Sequence, residues 1–509
     1  MMWDLSLYAQ EPLVLPSVTI TGKDKSLNTF EAENMLPSIK FKKNPKDYLK
    51  NPYSDNLLFF SSISAGSYDC AEWHIACAKQ NTENSLKNNT NFFISLDKFR
   101  SGFFGDNNSL MEKNDDNLGF ELFFPIFKKA SIFSSASYIE KNDSLSGQSV
   151  NVVQRNARDA KIDLGYSMLL GGFGFKIIPF YAYTGMQDQR VNIDTQVLLN
   201  QEISSGVKID VETSIKSMLI SSGFKYENCS RPEINKTGSN TFFYFNTEFA
   251  LPNIQRLWFD LGFDYAGINS YLNAGHFNPQ IKISYSFEKD FLLKFIFKSE
   301  TILPSYDLFL LNYAKINPNL REEQDVAFMV EADKKFIRDD KINLDGSLQF
   351  FHKSQENIIC YSGKANLWQP VNLQRLDQFG FDAKANFSYI LFGGTVHAKA
   401  DYILRQFAVT GEKTAPYVPL SELKTAVGYE IGPLRFELEG VYRGLCSADT
   451  QTLVAMQDYF VTNLYFSYTI TKNMTAFFKT ENLFDVKYHI LEDYPAMPQK
   501  LEGGIELRF

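Results

Sequence analysis

From about residue 57 onward, apolar and polar residues alternate with a period of two. In QFGFDAKANFSY (378–389), Phe379, Phe381, Ala383, Ala385, Phe387 and Tyr389 share one face, and Gly380, Asp382, Lys384, Asn386 and Ser388 the other. In TVHAKADYIL (395–404), Val396, Ala398, Ala400, Tyr402 and Leu404 oppose His397, Lys399 and Asp401. LRFELEGVYR (434–443) sets Leu434, Phe436, Leu438 and Tyr442 against Arg435, Glu437, Glu439 and Arg443. This pattern predicts strands with one apolar and one wet face. The same alternation runs through LEGGIELRF (501–509), where Leu501, Gly503, Ile505, Leu507 and Phe509 share a face opposite Glu502, Glu506 and Arg508. A bare amphipathic edge invites unwanted pairing. A closed barrel pairs its last strand with its first, so this segment points to closure.

The connections sharpen the prediction. From residue 279 onward, short and long ones alternate. The short ones are Glu288-Lys289-Asp290, Arg338-Asp339-Asp340, Gly393-Gly394, Gly432-Pro433 and Thr471-Lys472-Asn473. The long ones run about 301–322, 353–377, 405–421, 444–457 and 482–499. Short turns at one end and long loops at the other are the pattern of an outer-membrane barrel. Upstream strands are predicted to begin near 57, 71, 91, 118, 130, 160, 173, 205, 216, 240 and 257. The expected fold is all-β: a transmembrane antiparallel β-barrel of about 22 strands, an even number within the known range. The N- and C-termini are expected at the periplasmic end, with no globular plug. A barrel this wide does not fill its lumen with its own wall side chains.

Composition agrees. The 509 residues include 46 Phe, 26 Tyr and 4 Trp, yet mean hydropathy is only −0.23. No apolar run approaches the ~20 residues of a membrane helix. Lipid-facing and lumen-facing residues cancel in the mean when they alternate. The formal charge of −8 argues against nucleic acid as a partner.

The five cysteines, Cys70, Cys77, Cys229, Cys360 and Cys446, are odd in number and scattered. Cys70 and Cys77 bracket His74, but on one strand they would lie over ~20 Å apart and on opposite faces. Neither a metal site nor a disulfide framework is expected. The Asp/Asn-rich stretch 106–117 is expected to be a solvated loop, lacking a calcium-loop pattern. No nucleophile elbow, phosphate loop or HExxH is present, so neither enzymatic activity nor a cofactor is expected.

Residues 1–10 read as a possible remnant of a truncated signal peptide, without a basic n-region. Residues 11–56 read as an extended periplasmic segment, and 57–509 as the barrel. The lysine-rich stretch 39–56 is predicted to be non-helical. It suits a solvated linker, or a minimal plug whose lysines meet inward acids such as Asp382, Glu437 and Glu439.

Three segments carry a family resemblance. ENLFDVKYHILEDYPAMPQKLEGGIELRF (481–509) resembles the C-terminus of TonB-dependent outer-membrane receptors, through Asn482, Leu483, Phe484, Asp485, Tyr488, Tyr494, Pro495, Pro498 and Phe509. LPSYDLFLLNYAKINPNLREEQ (303–324) is similar to a family loop with Tyr-Asp-Leu-Phe, then Asn-Pro-Asn-Leu and an acidic residue. SISAGSYDCAEWHIA (62–76) and LDKFRSGFFGDNN (96–108) resemble the first hairpins. The resemblance implies that the final strand, at Ile505, Leu507 and Phe509, is read by the barrel-assembly machinery. The family's globular plug has no counterpart in the roughly 56 residues before the first expected strand. Ser17, Val18, Thr19, Ile20, Thr21 and Gly22, within LPSVTITGKD (15–24), look like a TonB box, the extended segment that pairs with TonB by strand addition.

The resemblance implies binding or transport of a small solute across the outer membrane, through long loops such as 301–322, 353–377 and 482–499. Outer-membrane lipid, the barrel-assembly machinery and TonB are the implied partners; a separate plug protein is a further candidate, since no plug is expected before the barrel. Two alternatives remain at this stage. One is a passive pore whose wall is set by His397, Lys399, Arg435 and Arg443. The other is a non-transporting surface binding or scaffold protein whose lumen is blocked by residues 24–56 or by a separate plug protein.

Overall fold

The structure, a computed structural model, describes Leu57–Phe509 apart from connecting residues at 68–69, 80–90, 105–109, 128–129, 148–149, 171–172, 191–197, 216–217, 232–235, 251–255, 269–273, 289, 303–319, 340, 363–368, 412–413, 449–454, 492–493 and 497. Residues 1–56, which hold the TonB-box-like segment, the lysine-rich stretch and the expected signal remnant, lie outside the described residues.

The chain closes into one 22-stranded sheet. The first strand, Leu57–Gly66, pairs antiparallel with Ala71–Lys79 on one side and with the last strand, Lys500–Arg508, on the other. The seam register runs from Phe60↔Arg508 to Gly66↔Glu502. Phe59 and Phe509 exchange both backbone hydrogen bonds, at 2.8 and 2.9 Å. Closure removes the edge that Lys500–Phe509 would otherwise expose. Among the described residues there is no helix and no second domain.

Alternation sorts the side chains as expected. Phe328, Phe350 and Phe379 project outward and are more than half exposed, whereas Asp325, Gln355 and Asp382 point inward and are buried. Such an outer apolar surface is costly in water and favourable in lipid. Short turns gather at one end. The turn at Phe392-Gly393 has positive φ at both residues, 51° and 80°. That geometry matches the right-handed twist of the flanking strands, and Gly393 adopts it at no steric cost. Arg508 donates its backbone N–H to Asn473 O in another short turn, which puts the C-terminal residue at this same end.

Strand length varies widely around the barrel. Leu110–Phe127, Ala130–Gly147, Val150–Leu170 and Phe173–Arg190 have 18 to 21 residues. Ile342–Ser362 and Gln369–Leu391 have 21 and 23. A membrane crossing needs only ~9–11, so these strands stand as walls beyond the apolar belt. At the seam, Met474–Glu481, Lys500–Arg508 and Ala71–Lys79 have 8, 9 and 9 residues and barely cross.

The tall walls correct three expectations. Much of 106–117 is strand, because Leu110–Phe127 takes in its second half. The expected loop 353–377 shrinks to 363–368 between two long strands. Beyond the membrane both faces of a strand are wet, so the period-two signal fades while the backbone ladder continues. The expected start near 160 moves to Val150 for the same reason.

Candidate functional site: the inner wall and its long-loop end

Residues two apart on a strand share a face, and the inner wall uses that spacing to neutralise itself. Lys161 pairs with Asp163 at 3.2 Å, Lys208 with Asp210 at 3.1 Å and Lys225 with Glu227 at 2.9 Å. Lys298 pairs with Glu300 at 2.8 Å, Lys384 with Asp382 at 3.0 Å and Arg508 with Glu506 at 2.9 Å. Arg435, expected to set a pore's selectivity, lies 2.8 Å from Glu437 and 3.2 Å from Glu430. The wall is polar and charged but locally compensated. The basic and acidic residues two apart that build it are visible in the sequence, but apolar–polar alternation marks them only as wet positions, not as pairs.

Toward the long-loop end, one polar chain crosses three strands. Lys353 Nζ lies 2.7 Å from Asp325 Oδ2, Gln355 Nε2 donates to Asp325 Oδ1 at 2.9 Å, and Gln378 Nε2 donates to Gln355 Oε1 at 2.8 Å. Gln355 and Gln378 are almost completely buried. Above them the strands bend at Asn357, whose φ is 54°. Glu323, from the acidic end of the family-like loop, accepts the Ile359 backbone N–H beyond that bend. Asn372 grips the same region by accepting from Arg321 N at 2.7 Å and donating to Asn357 O at 2.6 Å. Glu323 and the Arg321 backbone, at the C-terminal end of the 303–324 segment, therefore anchor its return to the wall.

A small lobe sits over this region. Ala415 packs with Ile358, Cys360, Leu373 and Leu376 in a buried apolar cluster. Tyr417, fully buried with φ of 60°, donates its backbone N–H to Ser447 O at 2.7 Å. Arg443 Nη2 donates to Tyr417 O at 2.6 Å, and Arg405 Nη1 donates to Pro419 O at 3.1 Å and to Glu422 at 2.9 Å. Arg443, expected as an open pore residue, is a lobe anchor. Cys446–Ser447 and Ala455–Met456 form a two-stranded ladder in the adjoining loop.

The C-terminal motif residues build a turn. Asn482, buried with φ of 51°, donates Nδ2 to Val486 O at 3.0 Å and accepts Val486 N–H on Oδ1 at 2.8 Å. Its own N–H donates to Asn463 Oδ1 at 2.9 Å. Leu483 N–H donates to Thr462 O at 2.7 Å. Asp485 accepts the Gln499 N–H at 3.0 Å, and that bond, aided by Lys487, holds its carboxyl below the usual carboxylate range. Tyr488 packs at a tilt against Tyr459, with ring centroids 4.2 Å apart. The Tyr494–Pro495 backbone pairs with His489–Leu491. Phe484 is exposed at the tip. Ile505, Leu507 and Phe509 all face outward at the seam. Asn482→Ala removes two hydrogen bonds and puts alanine in left-handed backbone, at a cost of roughly 2–3 kcal/mol. We expect much faster hydrogen exchange at Val486 and faster proteolysis between 483 and 499, with Asn482→Gly restoring only the backbone part.

The seam carries its own buried cluster. Glu502 accepts Ser64 Oγ–H at 2.5 Å and lies 2.7 Å from Lys479 Nζ and 3.1 Å from Lys500 Nζ. Glu72 lies 3.7 Å from Lys479 and 3.4 Å from His74, whose other nitrogen meets Asp97 at 2.9 Å. Cys70 is buried while Cys77 takes the opposite parity, so the two do not converge. Cys70, Glu72 and Glu502 do offer ligand atoms within 4.8 Å of one another. The two ammonium groups already compensate those carboxylates, and a divalent cation would have to displace them. The cluster fits an ionic latch better than a metal centre.

No protein-family model and no curated protein matches the sequence. Solved structures do match its shape. The FrpB iron transporter from Neisseria meningitidis (F3-3 variant) aligns with a TM-score of 0.69 at 12% identity, covering 92% of this chain and 83% of that one. The siderophore receptor PirA from Acinetobacter baumannii aligns at 0.70 and 9% identity, covering 90% and 81%. The copper transporter OprC aligns at 0.70 and 13% identity, covering 89% and 81%. At these identities the likeness is one of fold: the chain has the closed 22-stranded barrel that these transporters and receptors share.

Proposed function

We propose that the chain is an outer-membrane barrel of the TonB-dependent receptor type, which binds a small solute at its long-loop end and passes it through the lumen. The observation that carries this reading is a closed 22-stranded barrel with an apolar outside, a wet, charge-compensated inside and a packed lobe at one end. The short-turn end, with the C-terminal residue, faces the periplasm. The named functions of FrpB, PirA and OprC support a metal ion or a metal chelate as the solute class. The Ser17–Gly22 segment supports energy coupling through TonB, and Phe509 supports recognition by the assembly machinery.

A 22-stranded barrel of a transporter is wide enough to need a plug. Conductance in a planar bilayer tests how this one is closed. We expect the full chain to be silent and a variant lacking residues 1–56 to show large, steady conductance. A full chain that conducts steadily would make the protein a passive pore, or one closed by a separate protein. A TonB periplasmic domain that ignores a peptide of residues 11–26 would remove the energy-coupling part alone.

A further inference from the structure

Besides the inner wall, the outer wall has a concavity with a charged residue in its lining. At the short-turn end of the barrel, a groove of about 510 Å³ lies across neighbouring strands. Its floor is Gly346 and Ala385, side by side on neighbouring strands, with Lys334 opposite Gly346 and Ala332 two residues before Lys334, opposite Leu348. Its sides are Phe291 and Phe336. Ala332 and Lys334 continue the outward series of Phe328 and Val330, so the groove opens to the lipid side. A bulge between Lys335 and Ile337 offsets the register beside Phe336, which is 62% exposed.

Lys334 makes this more than a gap in the wall. Its Nζ lies 5.7 Å from the centroid of the Phe291 ring. A lysine on the lipid face is costly at the bilayer midplane and tolerated only near an interface. Phe291 is the first residue of its strand and pairs with Lys334, so the ammonium sits at the headgroup level of the short-turn end. Long basic side chains reach for headgroups from such positions. Below the ammonium runs an apolar channel with a floor too low to fill it.

We propose that this groove binds an anionic phospholipid of the periplasmic leaflet. Its headgroup phosphate meets Lys334 and one acyl chain lies over Ala332, Gly346 and Ala385. The proposal rests on the membrane-barrel reading above. The occupant follows from the chemistry: only a lipid presents an acyl chain and a phosphate together at that depth.

The test uses the full-length protein folded in detergent micelles. Native mass spectrometry would read its retention of phosphatidylglycerol against phosphatidylcholine with the same acyl chains. We expect one phosphatidylglycerol to be retained with about a fivefold preference, the scale of one basic residue at a charged headgroup layer. Lys334→Gln should abolish the preference, and Ala332→Phe, which fills the groove, should abolish retention. Ala332 is the better site, because a Cβ at Gly346 would meet Lys384 O at 2.8 Å. Lys341→Gln, a change in the nearby turn, should leave both unchanged. Equal effects of Lys334→Gln and Lys341→Gln would overturn the proposal in favour of diffuse electrostatics. Wild-type retention in Ala332→Phe would also overturn it. Gel mobility before and after heating separates this from the underlying reading: an unfolded or soluble wild-type protein would sink the barrel reading itself.

Discussion

Glu502→Gln should weaken the barrel more than any other single neutral substitution in its wall, by roughly 3–5 kcal/mol. That is the usual cost of removing one partner from a buried ionic group. The wild-type carboxylate is almost fully buried and faces two ammonium groups within 3.1 Å. The amide keeps the shape but not the charge, leaving Lys479 and Lys500 to repel each other with only Glu72 and Glu481, the cross-strand neighbour of Lys500, to offset them. The effect falls on closure, because Ser64 and Glu502 are 438 residues apart and meet only across the seam. The seam is also where strands are shortest, so few ladder bonds share the load. The midpoint of urea unfolding, read from heat-modifiable gel mobility, measures the loss. Replacing Glu502, Lys479 and Lys500 together by Leu, Met and Met should recover much of it, since a buried ionic group can be exchanged for apolar packing at little cost. An unchanged midpoint in Glu502→Gln would mean the lysines are solvated and the latch holds nothing.

The latch shows what the sequence can and cannot tell. Glu502 is legible as an inward residue from the alternation of LEGGIELRF, and the seam confirms its parity. Lys479 is its cross-strand neighbour on the preceding barrel strand. Ser64 and Glu72 were invisible: they reach it only through closure, and no local pattern encodes a contact of that span. The membrane zone was legible throughout, because one face meets lipid and the other water, so strands at Leu57, Ala71, Asn91, Ala130, Phe173 and Leu257 begin where periodicity placed them. Above the membrane that contrast is lost, which is why Leu110–Phe127 and Ile342–Ser362 ran longer than expected. The C-terminal motif was legible as a motif but not as a turn. Positive φ at Asn482 and Asp485 follows from the mutual bonds of Asn482, Val486 and Gln499, which only the folded loop displays.

Tyr417→Ala should release the lobe while leaving the barrel closed. Tyr417 is fully buried, and truncating a buried aromatic costs about 3–5 kcal/mol. Its backbone is strained as well: a bulky residue at φ of 60° is a rare conformation, sustained only where the surroundings over-determine it. Here they do. Arg443 holds its carbonyl, Ser447 its amide, and the buried Ala415 beside it packs on Leu376. Alanine keeps those two backbone bonds but loses the packing that justifies the strain, so the segment 414–420 should open locally. Hydrogen exchange at the Tyr417 and Leu420 amides should rise by two orders of magnitude or more, since ~3 kcal/mol is over a hundredfold in an opening equilibrium. The urea midpoint of the barrel should move little, because the lobe is not part of the closed ladder. If the lobe covers the solute's path, the current through the variant lacking residues 1–56 should become larger and noisier when Tyr417→Ala is added. If exchange stays slow, the anchoring lies in Arg405 and Arg443 alone, and the strained tyrosine is dispensable to the lobe.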